Sequence, residues 1–272
     1  MPREFFARPS VQVAPDLLGC VLEHETAEGL VAVELTEVEA YAGQADPASH
    51  AYRGKTARNA VMFGPPGHAY VYFTYGMHFC VNLVCLDPDT ASAVLLRAGR
   101  VIEGEELARA RRTRRRAGGD RDGASQVRAS QVRASQVRAS QVRASQVRAS
   151  QVRASQVRAS QDRASQDRAS RDRPGLAARD LARGPGRLCQ ALDIDMTMDG
   201  ADVCTAESPL RVRSRQTGPG TNARSAEKEI CSGPRVGVSA AADVPWRFWF
   251  EGDPSVSVYK PWVARRRKLV TP

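Results

Sequence analysis

The sequence predicts one α+β domain. An alternating apolar run over 30–41 and a pair of apolar stretches over 69–85 read as strands, while the spacing over 101–116 reads as a helix. Strands and helices are therefore interspersed. Of the 272 residues, ten five-residue units occupy 50 in mid-chain, and the remaining 222 are enough for one domain with a full core.

From Leu30 to Tyr41 the residues alternate as in a strand, with Val31, Val33 and Leu35 on one face and Glu37, Glu39 and Tyr41 continuing along it. Two carboxylates thus sit at the end of a core-facing row. A carboxylate placed there either leans into a cleft, where burial would raise its pKa toward the range useful for proton transfer, or the strand has simply run out into solvent. Ala69 to Phe73 is a second strand that sets Tyr70 and Tyr72 on one face, and Met77 to Cys85 is a third. Thr74-Tyr75-Gly76 fits a tight hairpin between them, with Gly76 supplying permissive backbone angles. Tyr75 then either projects as a wedge for a base stack or packs on its own hairpin. Five of the six tyrosines fall within 36–82, beside carboxylates, which suggests an aromatic stacking pocket with a catalyst in it.

Val101 to Arg116 is the predicted helix, with Ile102 and Leu107 inward together with Ala108 or Ala110. Its RRTRRR end suits DNA phosphates or a solvated face. Gly184-Pro185-Gly186 opens a further helix, RLCQALDI, whose free amides could hold a phosphate.

Residues 124–173 comprise seven copies of ASQVR, two of ASQDR and one ASRDR. A five-residue period carries the lone valine around a helix axis without building an apolar stripe, so this segment is expected to be disordered. It holds 11 Arg and 3 Asp, a net +8 out of the chain's +10, so the strongly basic balance belongs mostly to the repeat. It reads either as an expansion tolerated in a surface loop or as a cationic arm that raises nonspecific DNA affinity. The six cysteines (20, 80, 85, 189, 204 and 231) contain no C-x-x-C pair and no metal-site spacing, and no secretory or membrane-length apolar run occurs. Reduced thiols, no metal, no cofactor and an intracellular setting are expected, in the cytoplasm or nucleoid if the cell is bacterial.

The blocks TEVEAY, ASHAYRG, RNAVMFGPPGHAYVYFTYGMHFCVN and LLRA closely resemble the alkyladenine (3-methyladenine) DNA glycosylases. VAPDLLGCVL, GPGRLCQALDI, GPRVGV and PWRFWF extend the match over essentially the whole chain except 117–173, with 201–230 matching loosely. The resemblance implies a curved, mainly antiparallel sheet with surrounding helices. It also implies one glycosylase domain formed by 1–116 and 174–272, with 117–173 as an insertion. The implied activity is monofunctional hydrolysis of the N-glycosidic bond of damaged purines flipped out of duplex DNA, by a monomer that leaves an abasic site.

Carried over by motif, Glu39 would activate the attacking water, which Arg97 and the main chain of Val236 would help to hold. Tyr41, His50 and Tyr72 would enclose the flipped base, Asn82 would test the purine edge, and Tyr75 would fill the gap in the duplex. Asn82 could equally be a satisfied core amide. The lysines, Lys55, Lys228, Lys260 and Lys268, lie outside these motifs, so Schiff-base lyase chemistry is not expected. Two other classes share part of the pattern. A noncatalytic reader of damaged DNA needs the wedge and pocket but has no use for Glu39, whereas an N-glycosidase of free nucleosides needs Glu39 but not Tyr75.

Overall fold

Strand β2 (Gly29–Tyr41) organises the molecule, because every other large strand is arranged around its two edges. The structure, a computed structural model, describes residues 1–74, 76–114, 176–215 and 228–263. Apart from Leu176 these belong to one compact unit, Met1–Arg114 with Ala177–Pro272. On one edge β2 pairs antiparallel with β5 (Ala93–Glu103), which continues to β4 (His78–Val84) and β3 (Ala69–Thr74). On the other edge it pairs first with β1 (Val21–Thr26), beside which lies β7 (Leu210–Arg213), and then with β9 (Arg247–Phe250). Short β6 (Ala182–Arg183) joins β5, and β8 (Ile230–Gly233) joins β9. The result is a nine-stranded sheet in which each of these pairings is antiparallel.

Helices α1 (Ser10–Leu17), α2 (Glu105–Thr113) and α3 (Pro185–Leu192) cover one face and close the main core. Val13, Leu17, Ala108, Leu188 and Leu192 meet Val31, Val33, Leu35, Val81, Val94 and Leu96 there. A smaller cluster, including Met62, Phe63, Tyr70, Val84 and Ala93, lies on the opposite face under the loop that follows β2.

The 30–41 strand is present, but its two halves do not face the same way. The core row passes from Val31, Val33 and Leu35 to Val38 and Ala40, a change from odd to even numbers. Thr36 has no partner in β5 between the pairs Leu35↔Gly99 and Glu37↔Ala98, and Arg97 has none in β2 between Glu37↔Ala98 and Val38↔Leu96. A one-residue slip reverses every later side chain, so Glu37, Glu39 and Tyr41 leave the core face instead of continuing along it.

The predicted helix at 101–116 is also corrected. Val101–Glu103 completes β5, where Val101 pairs with Val33 and Glu103 with Ala32, and Ile102 is exposed. The helix is only Glu105–Thr113, with Ala108 buried as expected and Arg111 buried against expectation. Extending it backward would strip β2 of those pairings. Arg111 donates to Thr26 Oγ1 at 2.7 Å, Arg112 to Gln190 Oε1, and Arg114 to Glu28 at 2.8 Å, so this part of the arginine run serves internal contacts. The following helix runs over Pro185–Leu192, with Pro185 at its first position, and ends two residues earlier than expected because Asp193 takes a left-handed conformation and stops it. Helix α1, which overlaps the start of the matched block VAPDLLGCVL, has no counterpart among the sequence-based element assignments. Tyr75 and the pentapeptide repeat lie outside the described residues.

Gly104 joins β5 to α2 at φ 72°, where a Cβ would stand 2.2 Å from the carbonyl oxygen of Leu30. Replacing it with alanine strains the backbone and forces β2 and β5 apart. Gly104→Ala is expected to lower the unfolding free energy by about 1–3 kcal/mol. Urea denaturation checks this, and an unchanged midpoint would refute it.

Candidate active site

One rung across five strands builds the floor of the site. Register places Tyr70 opposite Asn82, Asn82 opposite Leu95, Leu95 opposite Glu39 and Glu39 opposite Arg247, so these side chains share the face away from the main core. Tyr72 and Cys80 form the neighbouring pair, and Tyr41 ends the row on β2. The loop after β2 brings His50 onto this face. Its Nδ1 lies 3.1 Å from the Tyr70 hydroxyl, and its ring meets Tyr72 edge-on at 4.5 Å. Tyr70 and Tyr72 stack at 5.6 Å. Asn59 fixes the loop by donating to the carbonyls of His50 and Gly54, both at 3.0 Å.

The two carboxylates of TEVEAY have different surroundings. Glu37 is fully buried and takes four donors. Its Oε1 accepts from Arg97 Nε at 2.8 Å, Arg247 Nε at 2.7 Å and Ser257 Oγ at 2.9 Å, while Oε2 accepts from Ser257 N at 2.7 Å. Glu39 is equally buried but takes three. Its Oε1 accepts from Val236 N at 2.7 Å and pairs with Arg97 Nη1 at 3.2 Å, and its Oε2 accepts from the Tyr41 hydroxyl at 2.9 Å. Two guanidinium groups therefore face Glu37, whereas Glu39 shares one of them and reaches the Tyr41 phenol.

These contacts set the ionisation states. Burial alone would raise the Glu37 carboxyl, but the Arg97 and Arg247 charges, with the hydrogen bonds from Arg247 and Ser257, hold it below the ordinary glutamate value. Burial opposes the Arg97 charge too, yet Glu39 and Glu37 outweigh it and raise its pKa. Burial pushes both the Tyr41 and Tyr72 phenols up, so both stay neutral donors. His50 is exposed at its rim, but partial desolvation against the tyrosines, followed by the Arg58 charge, lowers its pKa. It is a neutral imidazole at neutral pH.

Arg235, absent from the sequence-based candidates, ties the pieces together. It is fully buried and forms two hydrogen bonds to Asp46, at 2.5 and 2.9 Å, and one to the Ala40 carbonyl at 3.0 Å. Its guanidinium lies 4.7 Å from the Tyr41 ring centre and 5.3 Å from that of Trp246. Asp46 also accepts from the amides of Ala42 and Ala48, which shapes the loop leading to His50. The residue after Arg235 is Val236, whose amide holds Glu39.

The structure therefore brings together Glu39, Arg97, Val236, Tyr41, His50, Tyr72 and Asn82. Tyr75 is outside the described residues. The Asn82 side-chain nitrogen donates to the Tyr70 carbonyl at 3.1 Å, as a satisfied core amide would. Among the described residues no group of three or more His, Cys, Asp or Glu could hold a metal ion, and no helix is long and apolar enough to cross a membrane.

A family model described as methylpurine-DNA glycosylase (MPG) matches residues 4–131 and 139–254. The chain belongs to the methylpurine-DNA glycosylase family. A relative from Streptomyces avermitilis, named "Putative 3-methyladenine DNA glycosylase", is 43% identical over 98% of this chain and 95% of its own length. Relatives of the same name from Leifsonia xyli and Methanocella arvoryzae are 42% and 36% identical, over 95% and 96% of this chain and 92% and 97% of their own lengths. This family membership makes the protein a DNA glycosylase of DNA repair.

In this glycosylase, sequence reasoning also missed the supporting parts played by Glu37, Asp46, Arg247 and Ser257. Glu37 and Arg247 stand inside the matched blocks TEVEAY and PWRFWF, so the signal was a charged residue in an otherwise apolar strand. Because the Glu37 value is depressed, its stabilisation is complete above the unfolded-state value and lost as pH falls through the folded-state one. Glu37→Gln is expected to cost about 3–5 kcal/mol near neutrality by leaving buried guanidinium groups unpaired. Its stability should also fall less steeply than the wild type's below about pH 4.5. Urea unfolding over a pH series measures both, and identical acid limbs would contradict the ion-pair account.

Proposed function

We propose that this glycosylase extrudes alkylated or deaminated purines from duplex DNA and hydrolyses the N-glycosidic bond with a water activated by Glu39. The observation that carries this is the asymmetry of the two buried carboxylates. Glu37 is tied to two guanidinium groups and Ser257, whereas Glu39 shares a single guanidinium and reaches the Tyr41 phenol of the aromatic pocket. A water held there donates a proton to Glu39 as its oxygen bonds to the sugar's anomeric carbon. The glycosidic electron pair leaves with the base nitrogen, and an abasic site remains. The Glu39 charge also opposes the positive charge that develops on the sugar. Arg97 and the Val236 amide hold the carboxylate still, so that it need not reorganise during the reaction.

Tyr41, Tyr72 and His50 enclose the extruded base on this reading. An alkylated purine is cationic, and aromatic faces attract it. Asn82, held by the Tyr70 carbonyl, borders the same floor and tests the purine edge, and Tyr75 fills the gap in the duplex. The glycosylase domain comprises 1–116 with 174–272, with 117–173 inserted, and acts as a monomer wherever genomic DNA lies, in the cytoplasm if the cell is bacterial.

Glu39→Gln is expected to slow single-turnover base release from a methylated or hypoxanthine-containing duplex by at least about 10²-fold while duplex binding is retained. A wild type that binds both duplexes yet releases no base would favour a noncatalytic damage reader. Tyr75→Ser should depress release from the duplex strongly. An unchanged rate would instead indicate an N-glycosidase of free nucleosides.

A further inference from the structure

Residues 255–263 follow β9 and lie beyond the match to the family model, which ends at residue 254. Their first half is nevertheless tied to the active-site face. Thr36, the extra residue of β2, meets Ser255 hydroxyl to hydroxyl at 2.8 Å, and Ser257 supplies two donors to Glu37. Arg247 donates to the Ser257 carbonyl at 3.0 Å, and its guanidinium lies 5.8 Å from the Tyr259 ring centre. The Lys260 carbonyl accepts from Gly237 N at 3.1 Å, one residue beyond the amide that holds Glu39. Past these anchors the side chains are open to solvent: Val258 is 63% exposed, Tyr259 42%, Trp262 53% and Val263 76%. Single exposed apolar residues are ordinary, but four within six positions, two of them aromatic, form a patch of the kind that marks an interaction surface. Lys260 stands within it, and the sequence continues with Arg265, Arg266, Arg267 and Lys268.

We propose that Val258–Val263 is a DNA-docking strap that grips the strand beside the extruded nucleotide. Tyr259 and Trp262 stack on base or sugar faces, and Lys260 pairs with a phosphate. The proposal rests on the DNA glycosylase reading. Its occupant follows from topology and charge. A nucleotide presented to Glu39 stays covalently joined to its neighbours, which must pass over the rim of the same sheet face, and the strap is anchored on that face. Aromatic rings interleaved with cations are what a single strand without sequence preference binds.

The test compares wild type, Trp262→Ala, the Tyr259→Ala/Trp262→Ala double variant and Lys260→Gln for affinity to a labelled duplex carrying one hypoxanthine, across a salt series. The double variant should bind about tenfold or more weakly, with single-turnover release at saturating enzyme within about twofold of wild type. Lys260→Gln should lower the slope of log affinity against log salt by about one. Trp262→Ala lies farthest from the anchors and should keep the wild-type melting temperature, so it separates lost contact from lost fold. Unchanged affinity in a chain that still excises overturns the strap while leaving the glycosylase reading intact. A wild type that neither binds nor excises overturns that reading instead. Wild-type self-association abolished by the double variant, with DNA affinity unchanged, assigns the patch to a second copy and also overturns the proposal.

Discussion

A single guanidinium shared by two buried carboxylates is the constraint around which the rest of the site is arranged. Arg97 reaches Glu37 through Nε and Glu39 through Nη1, and this geometry needs the two glutamates and the arginine on the same side of the sheet. Unbroken alternation along β2 would have sent Glu37 and Glu39 into the helix-covered core. The extra residue Thr36 turns them out, and the extra residue Arg97 in the facing strand restores the pairing immediately afterward. Both edges change partners at about this point, from β1 to β9 beside β2 and from β4 to β6 beside β5. The sheet therefore has room for large charged side chains where a continuous ladder would crowd them.

Burying four charges is a poor way to stabilise a fold. Each ion loses several kcal/mol of hydration, and well-packed apolar residues would often serve as well or better. The cluster is tolerable because it is balanced, with Glu37 and Glu39 against Arg97 and Arg247, and because both Glu37 oxygens accept hydrogen bonds. The retained cost makes sense if a fixed anion is needed at Glu39. Glu37 then acts as the counter-ion that leaves Arg97 correctly aimed, and Arg235 does the corresponding work for Tyr41 and the His50 loop. A flexible or solvated carboxylate would have to reorganise as charge developed on the sugar, whereas this one is already oriented.

The strands at 30–41 and 69–85 were legible because alternating apolar residues and Gly76 leave a clear pattern. Ala108 was legible as an inward residue for the same reason. The bulge at Thr36 was not, since one extra residue leaves no mark in composition and reveals itself only through pairing with a distant strand. The beginning of the 101–116 segment was misread because Val101 and Ile102 suit either state locally, and only the partners Val33 and Ala32 decide between them. Glu39, Tyr41, His50 and Tyr72 could be picked out through the motif resemblance. Arg235 could not be picked out from its own neighbourhood, because its partners Ala40 and Asp46 lie 195 and 189 residues away. The contribution of Ser257 is hidden for the same reason, 220 residues from Glu37.

On the proposed function, the ionisation states of Tyr41, Tyr72 and His50 bear on the class of base that can leave. Burial raises the Tyr41 and Tyr72 phenols, and desolvation with the Arg58 charge lowers the His50 imidazolium. At neutral pH these three groups are hydrogen-bonding partners, and none is a strong acid. A neutral purine departs as a poor leaving group unless it is protonated, so the pocket gives it little direct help. A cationic purine carries the needed charge already, and uncharged aromatic walls hold it without repelling it. What such a base still requires is an anion beside the sugar and a water delivered to it, which on the proposed reading is the part of Glu39, fixed by Arg97, Val236 and Tyr41.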